Sequence, residues 1–132
     1  MLSRRSMLLA ALIAAPATTV HVPAFATDTR TYDPATFVAE QKAGKPIFVE
    51  INASWCPICA KQKPILSELI ADPKFKNLVY FVVDFDSQKD AVRFFGAHMQ
   101  STLIAFKGER EAGRSVGDTD RSSIAALLNK TL

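Results

Sequence analysis

The chain has 132 residues, 48% of them apolar, with 16 basic and 13 acidic side chains and a formal net charge of +3. That length suits one domain, and the apolar share is enough to build its core by burial. Two of the basic residues, Arg4 and Arg5, lie in an amino-terminal leader. Without them the balance falls to 14 against 13, and no basic stripe with interleaved aromatics remains, which argues against nucleic acid as a partner.

The leader has three parts. Met1 to Ser6 carries the positive charge, Met7 to Ala15 is a short apolar run, and Ala24-Phe25-Ala26 is a small-x-small cleavage pattern. This predicts an export signal over residues 1–26, too short in its apolar run to span a bilayer. Ser3-Arg4-Arg5 resembles a twin-arginine signal, and an ordinary secretory signal fits as well. Cleavage after Ala26 would leave a domain over 27–132 in the periplasm, where disulfides persist.

In chain order, Asp33 and Pro34 open a predicted helix through Phe37, Val38 and Gln41, which Gly44 ends. Ile47 to Ala53 is mostly apolar, as a strand buried on both faces would be. Pro57 fits a first helical position, which makes Cys56 the N-cap of a helix running to about Ala71, with a kink expected at Pro64. Leu78 to Phe85 is a second buried strand. Ser87 is the expected cap of a helix closed by Gly96. Thr102 to Phe106 is a third strand, Lys107 to Arg110 a polar turn, and Glu111 to Val116 a fourth strand. A last helix runs from Ser122 to about Lys130, with Ile124, Leu127 and Leu128 on its apolar face. The order predicts an α/β domain with a mixed central sheet of four to five strands flanked by helices.

Cys56-Pro57-Ile58-Cys59 holds the only two cysteines of the chain, directly after Trp55 and at a strand-to-helix junction. A C-x-x-C pair in that place is a redox dithiol signature. Disulfide exchange needs a thiolate, and a helix N-terminus supplies unpaired N–H groups and a favourable dipole. Cys56 is therefore the expected attacking thiol. Cys59, one turn in and more buried, is the resolving one. A four-ligand zinc site lacks partners, because His98 is the only histidine after the leader.

The arrangement resembles the thioredoxin family over essentially the whole mature chain. Its pattern has a buried acid six residues before the first Cys, Trp just before it, C-x-x-C, and Pro five residues after the second Cys. Glu50, Trp55, Cys56/Cys59 and Pro64 stand at those places. Phe95-Gly96, Thr102 to Lys107 and Val116-Gly117 follow in register. The resemblance implies thiol–disulfide exchange through a mixed disulfide, with no organic cofactor. It implies that Glu50 shuttles a proton to and from Cys59, since burial favours a carboxyl's neutral form. It places Trp55, Pro57, Ile58, Gln100 and Ser101 around the substrate.

Two departures qualify the resemblance. Ser101 stands where the family has a cis-proline, and a non-proline cis bond costs about 2.5–4 kcal/mol, so a trans bond is expected there. Ile58 adds no charge or hydrogen bond for the Cys56 thiolate, although Lys61 and Lys63 offset part of this; a less oxidising couple is expected. The reading is a monomeric periplasmic thiol–disulfide oxidoreductase, leaning reductase or isomerase. Its partners would be exported cysteine-containing proteins and a membrane thiol electron donor. The alternative is a periplasmic copper-handling protein using Cys56, Cys59 and His98.

Overall fold

Ten short segments build the domain around one five-stranded sheet. The computed structural model describes residues 27–132, so the export signal expected over 1–26 lies outside the described residues. In chain order the elements are β1 (Asp28–Thr31), α1 (Pro34–Lys42), β2 (Pro46–Asn52), α2 (Pro57–Ile70), a 3-10 turn (Pro73–Phe75), β3 (Val79–Asp84), α3 (Lys89–Phe94), β4 (Thr102–Lys107), β5 (Arg110–Val116) and α4 (Arg121–Asn129). The sheet order is β1-β3-β2-β4-β5. β1, β3 and β2 are parallel to one another, β4 is antiparallel to β2, and β5 is antiparallel to β4, which gives the expected mixed sheet.

Alternation along β2 sorts its side chains between two layers. Ile47, Val49 and Ile51 join Phe37 of α1 and Ala91 and Val92 of α3 on one face. Phe48 joins Leu66 of α2 and Ile124, Leu127 and Leu128 of α4 on the other. Glu50 has the parity of Phe48, so it projects to the face that α2 covers. Both faces of β2 are buried, which is why its sequence reads as a nearly unbroken apolar run.

Three details depart from the sequence expectation. The described residues open with β1, not with a helix. Asp28-Thr29-Arg30-Thr31 is a polar edge strand with no apolar alternation, and only its pairing with β3 makes it a strand. Ser87 does not cap α3: its N–H and hydroxyl both donate to Asp84 Oδ1, and the cap residue Gln88 makes no side-chain cap bond. The last helix starts at Arg121, because Asp120 accepts from the Ser123 N–H at 2.8 Å and so takes the cap position. The caps at Asp33 and Cys56 stand where the residues predicted them.

Candidate active site

Cys56 ends the turn that follows β2 and caps α2. Its N–H donates to the Ala53 carbonyl at 3.1 Å, and its own carbonyl accepts from Ala60 at 3.1 Å. Pro57 sits at the first helical position, where its missing N–H costs nothing. The two cysteines form a disulfide with Cα atoms 5.3 Å apart. Cys56 Sγ accepts the N–H of Cys59 at 3.0 Å. That bond is the one a Cys56 thiolate would keep, because a helix N-terminus stabilises negative charge.

Exposure does not separate the two cysteines, at 2% for Cys56 and 1% for Cys59. Their difference is one of place: Cys56 is the cap and Cys59 is inside the first turn. Both pack with Ala53, and Ile58 and Phe85 close over them. Pro57 is exposed and Ile58 half-buried beside the sulfurs. Trp55 is 57% exposed. Its indole N–H donates to Asp86 Oδ2 at 2.8 Å, which ties the turn before Cys56 to the loop after β3.

Ser101 lies at the same end of the sheet. Thr102 pairs with Ile51, and the Ser101 N–H donates to the Ile51 carbonyl at 2.8 Å. The bond before Ser101 is trans, as expected without proline. Ser101 has φ 60°, and it is the one non-glycine residue in the left-handed region among the described residues. Its carbonyl accepts from the Gly117 N–H at 3.0 Å and from Gln62 Nε2 at 3.3 Å. Gly117 also has positive φ, at 69°, which glycine tolerates without a Cβ clash. Gln100, partly buried, accepts from the Ser101 hydroxyl.

Glu50 is 5% exposed in the middle of β2. One carboxylate oxygen accepts from Asn52 Nδ2 at 2.9 Å, and the other accepts from the Tyr80 hydroxyl. Burial, and then the charge and acceptor of Glu50, push the Tyr80 phenol well above the ordinary tyrosine range. A cavity of about 300 Å³ reaches this group, lined by Glu50, Asn52, Lys63 and Tyr80 together with Thr29 and Ser67. A larger one, about 550 Å³, lies between α1 and α3 on the other face of the sheet and contains none of the expected site residues.

The structure therefore gathers Trp55, Cys56, Pro57, Ile58, Cys59 and Ser101 at one end of the sheet, with Gln100 next to Ser101. Glu50 sits deeper, on the face covered by α2. Three further residues were not singled out by the sequence: Asp86, Tyr80 and Gln62. For Gln62 a signal was present, since it stands three residues after Cys59 on the face of α2 that also carries Leu66. His98 is exposed, and no group of three His, Cys, Asp or Glu side chains that could hold a metal ion occurs among the described residues. The copper-handling alternative has no support in this geometry.

A mixed sheet whose central strand feeds a C-x-x-C disulfide at a helix N-terminus defines an α/β protein built for dithiol–disulfide exchange. A thioredoxin family model matches residues 28–130, and the chain belongs to the thioredoxin family. A thioredoxin of Chlamydia muridarum is 32% identical over 92 residues, which cover 70% of this chain and 88% of that one. An H-type thioredoxin of Brassica campestris is 31% identical over 90 residues, 68% of this chain and 72% of its own. Among solved structures, Trxlp from Edwardsiella tarda matches with a TM-score of 0.74 at 38% identity, covering 76% of this chain and 98% of that one. Thioredoxin NaTrxh from Nicotiana alata shares the fold, with a TM-score of 0.69 at 21% identity over 80% of this chain and 93% of its own. The chain is thus a thiol–disulfide oxidoreductase whose substrates are cysteine-containing proteins.

Proposed function

We propose that this oxidoreductase works in the periplasm on exported proteins, as a reductase or isomerase fed by a membrane thiol donor. The observation that carries the direction of attack is the Cys59 N–H held on Cys56 Sγ at a helix N-terminus. In the reducing direction the Cys56 thiolate attacks one sulfur of a substrate disulfide. A Cys56–substrate disulfide forms, and the other substrate sulfur leaves as thiolate. Cys59 then loses its proton to Glu50 and attacks Cys56 Sγ. The Cys56–Cys59 bond closes, the second substrate sulfur leaves, and two electrons have passed to the substrate. Trp55, Pro57, Ile58, Gln100 and Ser101 would form the substrate rim. Ile58 argues for the reducing lean, since it gives the Cys56 thiolate no charge or hydrogen bond, and a less stabilised thiolate makes a less oxidising couple.

Export is argued from Arg4-Arg5, the apolar run to Ala15 and Ala24-Phe25-Ala26. Mass spectrometry of the native protein should find a chain beginning at about Thr27, and a full-length cytosolic protein refutes the location. A Cys59→Ala variant expressed in cells should trap mixed disulfides with exported proteins, and Cys56→Ala should trap none. Trapping through Cys59 alone reverses the roles. The potential of the pair decides the lean: a value near the thioredoxin and glutaredoxin range, about −270 to −200 mV, supports a reductant, and one near about −120 mV an oxidant.

A further inference from the structure

Gln62 lies on α2 three residues beyond Cys59 and is fully buried, at 0% exposure. Its Nε2 donates to the Asp118 carbonyl at 2.8 Å and to the Ser101 carbonyl at 3.3 Å. Both partners only accept, so they decide which end of the carboxamide is the NH2 and use both of its hydrogens. Oε1 then has no hydrogen-bond partner among the described residues. A buried acceptor left unpaired is costly, which points to a donor in another state of the protein.

A helical side chain leans back over the turn before it. The residues one turn back from Gln62 are Ile58 and Cys59, and those one turn on are Ile65 and Leu66. Of these four only Cys59 can carry a polar hydrogen, and it does so only when the disulfide is open. We propose that Gln62 is a positioning residue for the dithiol: its Oε1 accepts the S–H of Cys59 in the reduced state, while its amide hydrogens hold the Ser101 and Asp118 carbonyls in both states.

The inference rests on the reading that the pair cycles between disulfide and dithiol. On reduction, an external dithiol gives two electrons and becomes a disulfide. The Cys56–Cys59 bond breaks, one of the dithiol's two protons settles on Cys59, where Gln62 accepts it in a hydrogen bond, and the other passes to solvent, leaving Cys56 as the thiolate. The unpaired acceptor burdens the disulfide form alone. Gln62 therefore favours the dithiol, and it links the sulfur that resolves the mixed disulfide to the carbonyl of Ser101.

Equilibration of the protein with reduced and oxidised glutathione tests this. Gln62→Leu should raise the equilibrium constant for closing the disulfide about three- to ten-fold, the weight of one net hydrogen bond. Because that variant also frees two carbonyls, a second measurement leaves Gln62 in place. The carboxamide carbon of Gln62 is followed by 13C NMR in the oxidised and reduced parent, in Cys59→Ser, which keeps a donor, and in Cys59→Ala, which has none. The resonance should move on reduction, and Cys59→Ser should resemble the reduced form, Cys59→Ala the oxidised one. An unmoved resonance, equal positions in the Ser and Ala variants (a buried water as partner), or an unchanged equilibrium constant in Gln62→Leu overturns the role of Gln62. A parent that never exchanges with glutathione refutes the exchange chemistry itself.

Discussion

Tyr80 donates its hydroxyl hydrogen to Oε2 of Glu50 across the β2–β3 pair. Glu50 stands opposite Val82 in the register, so Tyr80 is its diagonal neighbour, two residues away along β3. Asn52 takes the other carboxylate oxygen. The acid at the centre of the sheet is thus held by two neutral donors, and Lys63 of α2 shares the cavity that reaches it. The two donors fix the carboxyl in place between β2 and β3.

Glu50→Gln keeps the shape and removes the proposed proton carrier. Resolution of a Cys56 mixed disulfide should slow about 10- to 100-fold, at the low end of general acid–base effects, with the fold intact. Stopped-flow fluorescence of Trp55 with a model disulfide would read the rate. An unchanged rate across neutral pH leaves Glu50 as a structural residue.

Tyr80 carries a pH dependence. Its folded pKa is raised above the ordinary value of about 10, so above that pH the folded protein keeps a proton that the unfolded chain has lost. Its contribution to stability is whole below about pH 10 and is lost as the pH rises past it. Tyr80→Phe should be less stable at neutral pH, because Glu50 loses a donor, yet should lose stability less steeply on going alkaline. Tyr32, whose phenol is raised by burial and by Asp33, retains part of the slope. Urea midpoints from pH 8 to 11 would check this, and parallel alkaline slopes would contradict it.

Ser101→Pro should harm the protein. Proline fixes φ near −65°, whereas Ser101 sits at 60°. Its N–H, bonded to the Ile51 carbonyl at 2.8 Å, would also be lost. An unpaired buried carbonyl alone costs about 1–3 kcal/mol, and the change of backbone hand adds to it. Denaturant unfolding should show a loss of at least that order. A variant as stable as the parent would mean that the loop adopts a second conformation.

Phe37 is the clearest test of the core. It packs near edge-on against Phe81, Phe94, Phe95 and Phe106, with ring centroids between 5.2 and 6.1 Å. It is buried between α1 and the sheet. Phe37→Ala should cost about 3–5 kcal/mol in urea unfolding, since four rings cannot collapse into one cavity without losing their own contacts. The exchange chemistry, at the end of the sheet where Cys56 and Cys59 lie, should survive in the folded fraction.

Much of the fold was legible because its signals are local. Apolar runs at Ile47–Ala53 and Leu78–Phe85, caps at Asp33 and Cys56, and helical spacing at Ile124, Leu127 and Leu128 each depend on residues near one another in the chain. The edge strand Asp28–Thr31 had no such signal, because its strand character comes from the backbone of β3 and not from its own side chains. Ser87 looked like a cap from its neighbours alone, and the nearby carboxylate of Asp84 claimed it instead.

The chemistry divides along the same line. The sequence by itself determined that Cys56 and Cys59 can close one disulfide at a helix N-terminus, because spacing and the cap are properties of a few consecutive residues. Only the tertiary structure decided that Tyr80 and Asn52 hold Glu50, that Asp86 holds Trp55, and that Gln62 and Gly117 hold Ser101 in a left-handed conformation. Most of those partners lie far apart in the chain and meet through strand register and helix packing. A polar side chain chooses its hydrogen-bond partner from whatever the folded chain brings within about 3 Å, and no period in the sequence encodes that choice.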